Sequence, residues 1–139
     1  DYVKSYSVKL GLSDRIRFAG FVSNEEIPHL YKQSLALVMP TYFGPTNLPP
    51  LEAFELKVPV LYPNKVGLRE QVENAALLMD LNNPDSMADH LKNLIEDGEL
   101  RETLIKAGTA RLSYFDSYNR TEILRTVLED FRSRRVCWQ

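Results

Sequence analysis

PTYFGPTNLPPLEAF, residues 40–54, decides how the rest of the chain is read. It lies between two short apolar runs, LALVMP at 35–40 and VPVLYP at 58–63, so it reads as a loop leaving one buried strand and entering a helix that leads to the next. Pro49 and Pro50 suit the first helical turn, where no intrahelical donor is lost and the ring's fixed torsion is already helical. Gly44, Pro45, Thr46 and Asn47 turn the chain with little bulk. The first helical amides are then expected to face the space above the strand ends, a setting that binds anions. Glu52 is the one ionised group there, about one turn inside the helix.

Working outward, Val3, Tyr6 and Leu10 fall at helical spacing and Gly11 stops that helix by taking a positive torsion. RIRFAGFV, residues 15–22, alternates like a strand, with Ile16, Phe18 and Gly20 on one face and Arg15 and Arg17 on the other. Ser23 or Asn24 caps a helix over 25–34 whose stripe is Ile27, Leu30 and Tyr31, with Pro28 tolerated in its first turn. Beyond VPVLYP come a short helix at 67–73 and a strand at 76–81. NNPDS at 82–86 is a turn and cap signal for a helix with Met87, Leu91, Leu94 and Ile95 on one face. Gly98 breaks it, and a further helix from about Glu99 carries Leu100, Leu104, Ala107, Leu112 and Phe115. A terminal helix, about 119–139, shows Ile123, Leu124, Val127, Leu128 and Phe131 on one side. Strands alternating with helices imply an α/β, Rossmann-like parallel sheet with helices on both faces and a helical carboxyl-terminal extension. In such sheets ligands bind beyond the carboxyl ends of the strands, where the 41–48 and 64–68 loops must lie.

The 139 residues suffice for a single core, and a composition 44% hydrophobic and 26% charged is that of an ordinary globular domain. No apolar stretch reaches membrane-spanning length. The chain opens at Asp1 without a signal pattern, so it is expected to be a fragment or processed product. Cys137, the only cysteine, excludes an internal disulfide and fits a reducing compartment. A formal charge of -2 argues against nucleic acid as a partner. There is no zinc spacing, no Asp-x-Asp to hold a metal against a diphosphate, and no G-x-S-x-G, so neither metal nor hydrolase chemistry is expected. His29 and His90 fall on polar helix faces and are expected to be solvated. Arg132, Arg134 and Arg135 with Val136 and Trp138 read as a solvated helix end, with peripheral contact to an anionic membrane as the alternative.

The 40–54 stretch resembles the signature of glycosyltransferase family 4, P-S-x-x-E-G-F-G-L-P-x-L-E-A. Pro40, Leu48, Pro49, Leu51, Glu52 and Ala53 match, while the position of the first glutamate holds Gly44. The likeness continues through VPVLYPNKVGLREQVENAALLMDLNNPDSMADHL, with a G-x-x-E at Gly67 and Glu70, and upstream through LGLSDRIRFAGFVSNEEIPHLYKQS. Members are retaining enzymes of the GT-B type, with two Rossmann-like domains and nucleotide diphosphate sugars as substrates. The resemblance therefore implies that residues 1–139 are one partial nucleotide-sugar-binding domain, the carboxyl-terminal one, lacking its first strands.

It further implies donor contacts by Glu52 to the ribose hydroxyls, by Gly44, Pro45, Thr46, Asn47 and Leu48 to phosphate and sugar, and by Gly20, Phe21 and Val22 to the base. Gly67 and Glu70 would contribute from the next loop. Each has a structural alternative: Glu52 complements the helix dipole, Gly20 permits close packing, and Glu70 caps a helix. Without a carboxylate at residue 44, either activity is lost or Thr46 and Asn47 make replacement contacts to a differently substituted sugar, a deoxy sugar being one candidate. No cofactor is implied. The expected role is hexosyl or deoxyhexosyl transfer to a glycan or lipid-linked acceptor in bacterial surface-polysaccharide assembly, at a cytoplasmic or membrane-peripheral location. The acceptor would be held by an amino-terminal domain absent here, leaving this stretch inactive alone and prone to self-association through exposed strand edges. The alternative is a non-catalytic nucleotide-binding or protein-interaction module on the same fold.

Overall fold

The computed structural model describes residues 2–44 and 47–136, with side chains through Arg132. Residues 1–30 and 31–139 form two compact units. In the first, α1 (Tyr2–Lys9) ends where Gly11 takes φ +66°. Its Tyr2 and Tyr6 rings stack at 5.8 Å, and the Lys4 ammonium lies 5.2 Å from the Phe18 ring centre. The helix forms as the spacing predicts, but Val3, Tyr6 and Leu10 are about half exposed, and it is Ser7 that is buried. Residues 15–22 are not a strand. The stretch joins no ladder, and Ile16, Phe18 and Phe21 are all exposed, so its alternation has neither a paired neighbour nor a buried face.

Helix α2 (Ile27–Lys32) follows a turn in which the Ser23 amide and hydroxyl both donate to the Glu26 carboxylate, at 3.1 and 2.8 Å. That is the return half of a capping box. The second unit contains a parallel three-stranded sheet in the order β1 (Leu37–Val38), β2 (Val60–Pro63), β3 (Leu77–Met79). Leu37 pairs with Val60, Leu61 with Leu77 and Tyr62 with Leu78. Successive residues of β2 face opposite sides. Val60 and Tyr62 join Ala53 and Phe54 of α3 (Pro49–Glu55) and Val72 of α4 (Arg69–Val72), which runs into a 3₁₀ turn at Glu73–Ala75. Leu61 joins Met79, Leu94 of α5 (Pro84–Glu96) and Leu104 of α6 (Gly98–Asp116). Helices therefore cover both faces, as the uninterrupted apolar strands require.

Helix α6 serves both clusters: Leu100 and Leu104 pack in one, Ala107 and Leu112 in the other. A Cβ at Gly108 would come within 2.7 Å of the Phe54 ring, so glycine sets how closely α6 approaches α3. Asn83 caps α5 by accepting from the Asp85 amide at 3.1 Å. Two expectations are corrected at its far end. Ile95 is 66% exposed, leaving Met87, Leu91 and Leu94 as the packing face. The break falls at Asp97, whose carboxylate caps Leu100 N at 2.9 Å, and Gly98 is the first residue of α6. Helix α7 (Arg120–Val136) is capped by Asn119 and leaves Ile123, Leu124, Val127, Leu128 and Phe131 51–65% exposed.

Candidate functional site

Helix α3 begins at the prolines, as the sequence dictates, but its start does not offer the free amides expected of an anion site. Pro49 and Pro50 have no N–H, and the next two amides are engaged, Leu51 N and Glu52 N both donating to the Leu48 carbonyl at 2.8 and 3.0 Å. What the turn does present is the exposed Glu52 side chain. Its Oε2 accepts a hydrogen bond from the Tyr31 hydroxyl at 3.2 Å, and that hydroxyl also lies 3.4 Å from the Pro49 carbonyl. Burial first, then the Glu52 charge and hydrogen bond, push the Tyr31 phenol up to about 12. Tyr31 therefore stays a donor across the physiological range and fixes the orientation of the carboxylate.

The loop before α3 is held at both ends. Thr41 Oγ1 donates to the Phe43 carbonyl at 2.6 Å, leaving Tyr42 and Phe43 exposed at the tip. Gly44 takes φ +130°. Pro45 and Thr46 lie outside the described residues. At Asn47 the chain enters a closed ring of hydrogen bonds. The Asn47 amide donates to the buried Tyr62 hydroxyl, Tyr62 donates to Gln71 Oε1 at 3.3 Å, and Gln71 Nε2 donates to the Asn47 carbonyl at 2.6 Å.

The second loop closes on itself. Gly67, at φ +87°, donates its amide to Glu70 Oε2 at 2.6 Å, and Arg69 Nε lies 3.2 Å from Glu70 Oε1. A bond from its own amide, outweighing slight burial, and then the Gly67 amide and Arg69 hold the Glu70 carboxyl below the usual range. Glu70 thus closes the turn that leads into α4, a local structural role of the kind expected beside its donor role.

Behind α4 stands Arg111 of α6, whose side chain is only 10% exposed. It donates to the Gln71 carbonyl at 2.9 Å and to the Glu70 carbonyl at 2.6 Å, and pairs with Glu73 at 2.7 Å. Its guanidinium lies over Tyr114 and Phe115, at 4.8 and 4.6 Å. An open cleft of about 460 Å³ is bordered by Leu48, Leu51, Gly67, Glu70, Gln71, Arg111, Phe115 and Arg120. Leu48, Gly67 and Glu70 thus share one cleft, and Asn47 joins it through Gln71, whereas Glu52 is held separately against Tyr31. Gly20, at φ +68°, belongs to the first unit with Phe21, which is 97% exposed, and the half-buried Val22.

Tyr31, Tyr62, Gln71 and Arg111 escaped the sequence reading. Tyr62 is hidden in an apolar strand, and Arg111 is 40 residues from Gln71, so no local pattern links them. His90, expected to be solvated, is half-buried with Nε2 3.0 Å from the Leu78 carbonyl. His29 is exposed. Among the described residues no His, Cys, Asp and Glu group could hold a metal, and no helix is long and apolar enough to cross a membrane. Cys137 and Trp138 lie outside the described residues.

This architecture is that of a GT-B glycosyltransferase domain. It superposes on sucrose-phosphate synthase from Thermosynechococcus elongatus with a TM-score of 0.76 at 23% identity, over 97% of this chain and 34% of that one. Residues 1–111 match the model of the family described as glycosyl transferases group 1, and the chain belongs to that family. It is 34% identical over 106 residues to the Escherichia coli O-antigen chain mannosyltransferase B, covering 76% of this chain and 28% of that protein. With a glycosyltransferase of Methanocaldococcus jannaschii it shares 25% identity over 134 residues, 95% of this chain and 34% of the other. The chain thus spans about a third of the length of the curated relatives it matches.

Proposed function

We propose that this chain is the donor-binding part of a retaining glycosyltransferase that moves a hexosyl or deoxyhexosyl group from a nucleotide diphosphate sugar to a glycan or lipid-linked acceptor. The observation that carries the reading is the Glu52 carboxylate, exposed at the start of the helix after β1 and oriented by a tyrosine that does not ionise at neutral pH. A carboxylate held this way matches the two vicinal hydroxyls of a ribose, and charge-assisted bonds of this type contribute about 1.5–3 kcal/mol each. Family membership supplies the class of donor. The name of the Escherichia coli relative supports a setting in surface-polysaccharide assembly, hence a cytoplasmic or membrane-peripheral site of action.

In the transfer, charge builds on the departing diphosphate, whose oxygen takes the acceptor's proton on the same face. Preorganised donors lower that barrier. Since the first amides of α3 are engaged, this task falls to the 41–48 loop and its neighbours, not to the helix start. The test is calorimetric titration of the full-length protein with uridine, guanosine and thymidine diphosphate sugars. One of them should bind, and Glu52→Gln should weaken it about tenfold or more with little change in melting temperature. Binding of none, or loss of stability in step with affinity, would refute the reading.

A further inference from the structure

Gly44 and Asn47 show a reciprocal exchange of side-chain bulk. A Cβ built on Gly44 would collide with Asn47 Oδ1 and lie 2.7 Å from Asn47 Cγ and Nδ2. The asparagine amide therefore occupies the space into which any side chain at residue 44 would project. Where the resembled signature has glutamate and then glycine at these two places, this chain has glycine and then asparagine. The Asn47 amide does not simply fill a gap. It donates to Tyr62, which is fully buried in the central strand, and the ring closes through Gln71 back to the Asn47 carbonyl. Gln71 is fixed in turn by Arg111 on its own carbonyl. Among the described residues no buried side-chain polar atom lacks a partner, and for the Tyr62 hydroxyl the partners are Asn47 and Gln71.

We infer that Asn47, Tyr62 and Gln71 are positioning residues that set the 41–48 loop against the donor's sugar and phosphate, and that Gly44 is glycine because Asn47 takes its space. The inference rests on the donor-binding reading above, and it departs from the expectation that Asn47 contacts the sugar itself. The amide that could have reached a hydroxyl is directed at the strand, so Asn47 acts through the backbone it anchors. A donor is then selected by where this loop stands, and the buried Tyr62 hydroxyl, engaged on both sides by Asn47 and Gln71, belongs to the specificity apparatus.

The experiment uses the full-length protein with Asn47→Ala, Tyr62→Phe and the double substitution. Two quantities are read. Amide hydrogen exchange without ligand should rise in residues 41–48 to a similar extent in all three, the double variant adding nothing to either single one, while α5 stays unchanged. In titrations with uridine diphosphate glucose, guanosine diphosphate mannose, thymidine diphosphate glucose and the corresponding bare diphosphates, the preference for the sugar-bearing form should fall about tenfold in each variant, again without additivity. A merely structural role would lower melting temperature without changing that preference, and would overturn the inference. So would a Tyr62→Phe variant that exchanges and binds like the wild type while Asn47→Ala loses affinity, because Asn47 would then touch the donor directly. If no probe binds the wild type, the donor reading fails, and with it the donor-positioning role. Equal, non-additive exchange would then still show the ring holding the loop.

Discussion

The loops at the carboxyl ends of β1 and β2 solve the same problem by opposite means. Residues 64–68 are closed locally, the Gly67 amide being bound by a carboxylate three positions on. Residues 41–48 are closed from a distance, through Tyr62 and Gln71, 15 and 24 positions from Asn47. Their glycines differ accordingly: a Cβ at Gly67 would meet nothing within 4 Å, and one at Gly44 would strike Asn47. A locally closed loop depends less on contacts made elsewhere. One closed from a distance responds to changes in the core.

The largest effect is expected where both loops share a support. Arg111 holds the Glu70 and Gln71 carbonyls and the Glu73 carboxylate from beneath α4, so Arg111→Ala leaves several acceptors without a donor. We expect a loss of about 2–4 kcal/mol in denaturant unfolding, since each orphaned partner costs about 1–3 kcal/mol and water reaches some of them. A loss under about 1 kcal/mol would mean that α4 is held by its apolar contacts alone, and the two loops would not share this support.

Next comes the pair that separates the loops. Gly44→Ala combines a positive torsion with a collision and should cost about 2–3 kcal/mol, while Gly67→Ala carries only the torsional penalty, about 1 kcal/mol. Gly44→Ala should also raise hydrogen exchange in residues 41–48 and Gly67→Ala should leave that stretch unaffected. Equal costs in thermal melts would erase the contrast. By the same geometry, Gly44→Glu alone should not create a useful carboxylate, because its side chain must first displace the Asn47 amide.

How much of this was legible follows the same division between near and far. Pro49 and Pro50 marked the start of α3, Asn83 its counterpart at α5, and Gly11 the end of α1, because each acts on backbone within one turn. Alternation at residues 15–22 was legible too, yet it gave no strand, since a strand exists only through a neighbour's hydrogen bonds and pattern alone cannot supply one. At the site, the G-x-x-E spacing contained both partners of the Gly67–Glu70 hydrogen bond. The engaged amides at the start of α3 are local, both bonded to the Leu48 carbonyl, whereas the orientation of Glu52 by Tyr31 and the Asn47 ring are products of tertiary packing. No window of a few residues holds both partners.

The smallest effect lies at Tyr31, whose contact with Glu52 can be read by pH. Its phenol ordinarily titrates near 10 and is pushed to about 12 by burial and by the neighbouring Glu52 charge. Between those values the unfolded chain has released the proton and the folded one retains it, so the unfolded state binds fewer protons and stability must fall as pH rises. The contribution is fully present below about 10 and lost by about 12. Solvent reaches part of the ring, so the slope should be shallow. Tyr31→Phe should remove it, and Glu52→Gln should reduce it by taking away the charge and leaving burial as the remaining cause. Denaturant midpoints measured in steps from pH 9 to 12 decide the matter: a slope unchanged in Tyr31→Phe would assign it to another phenol, and one unchanged in Glu52→Gln would mean that the carboxylate is not held by Tyr31 in solution.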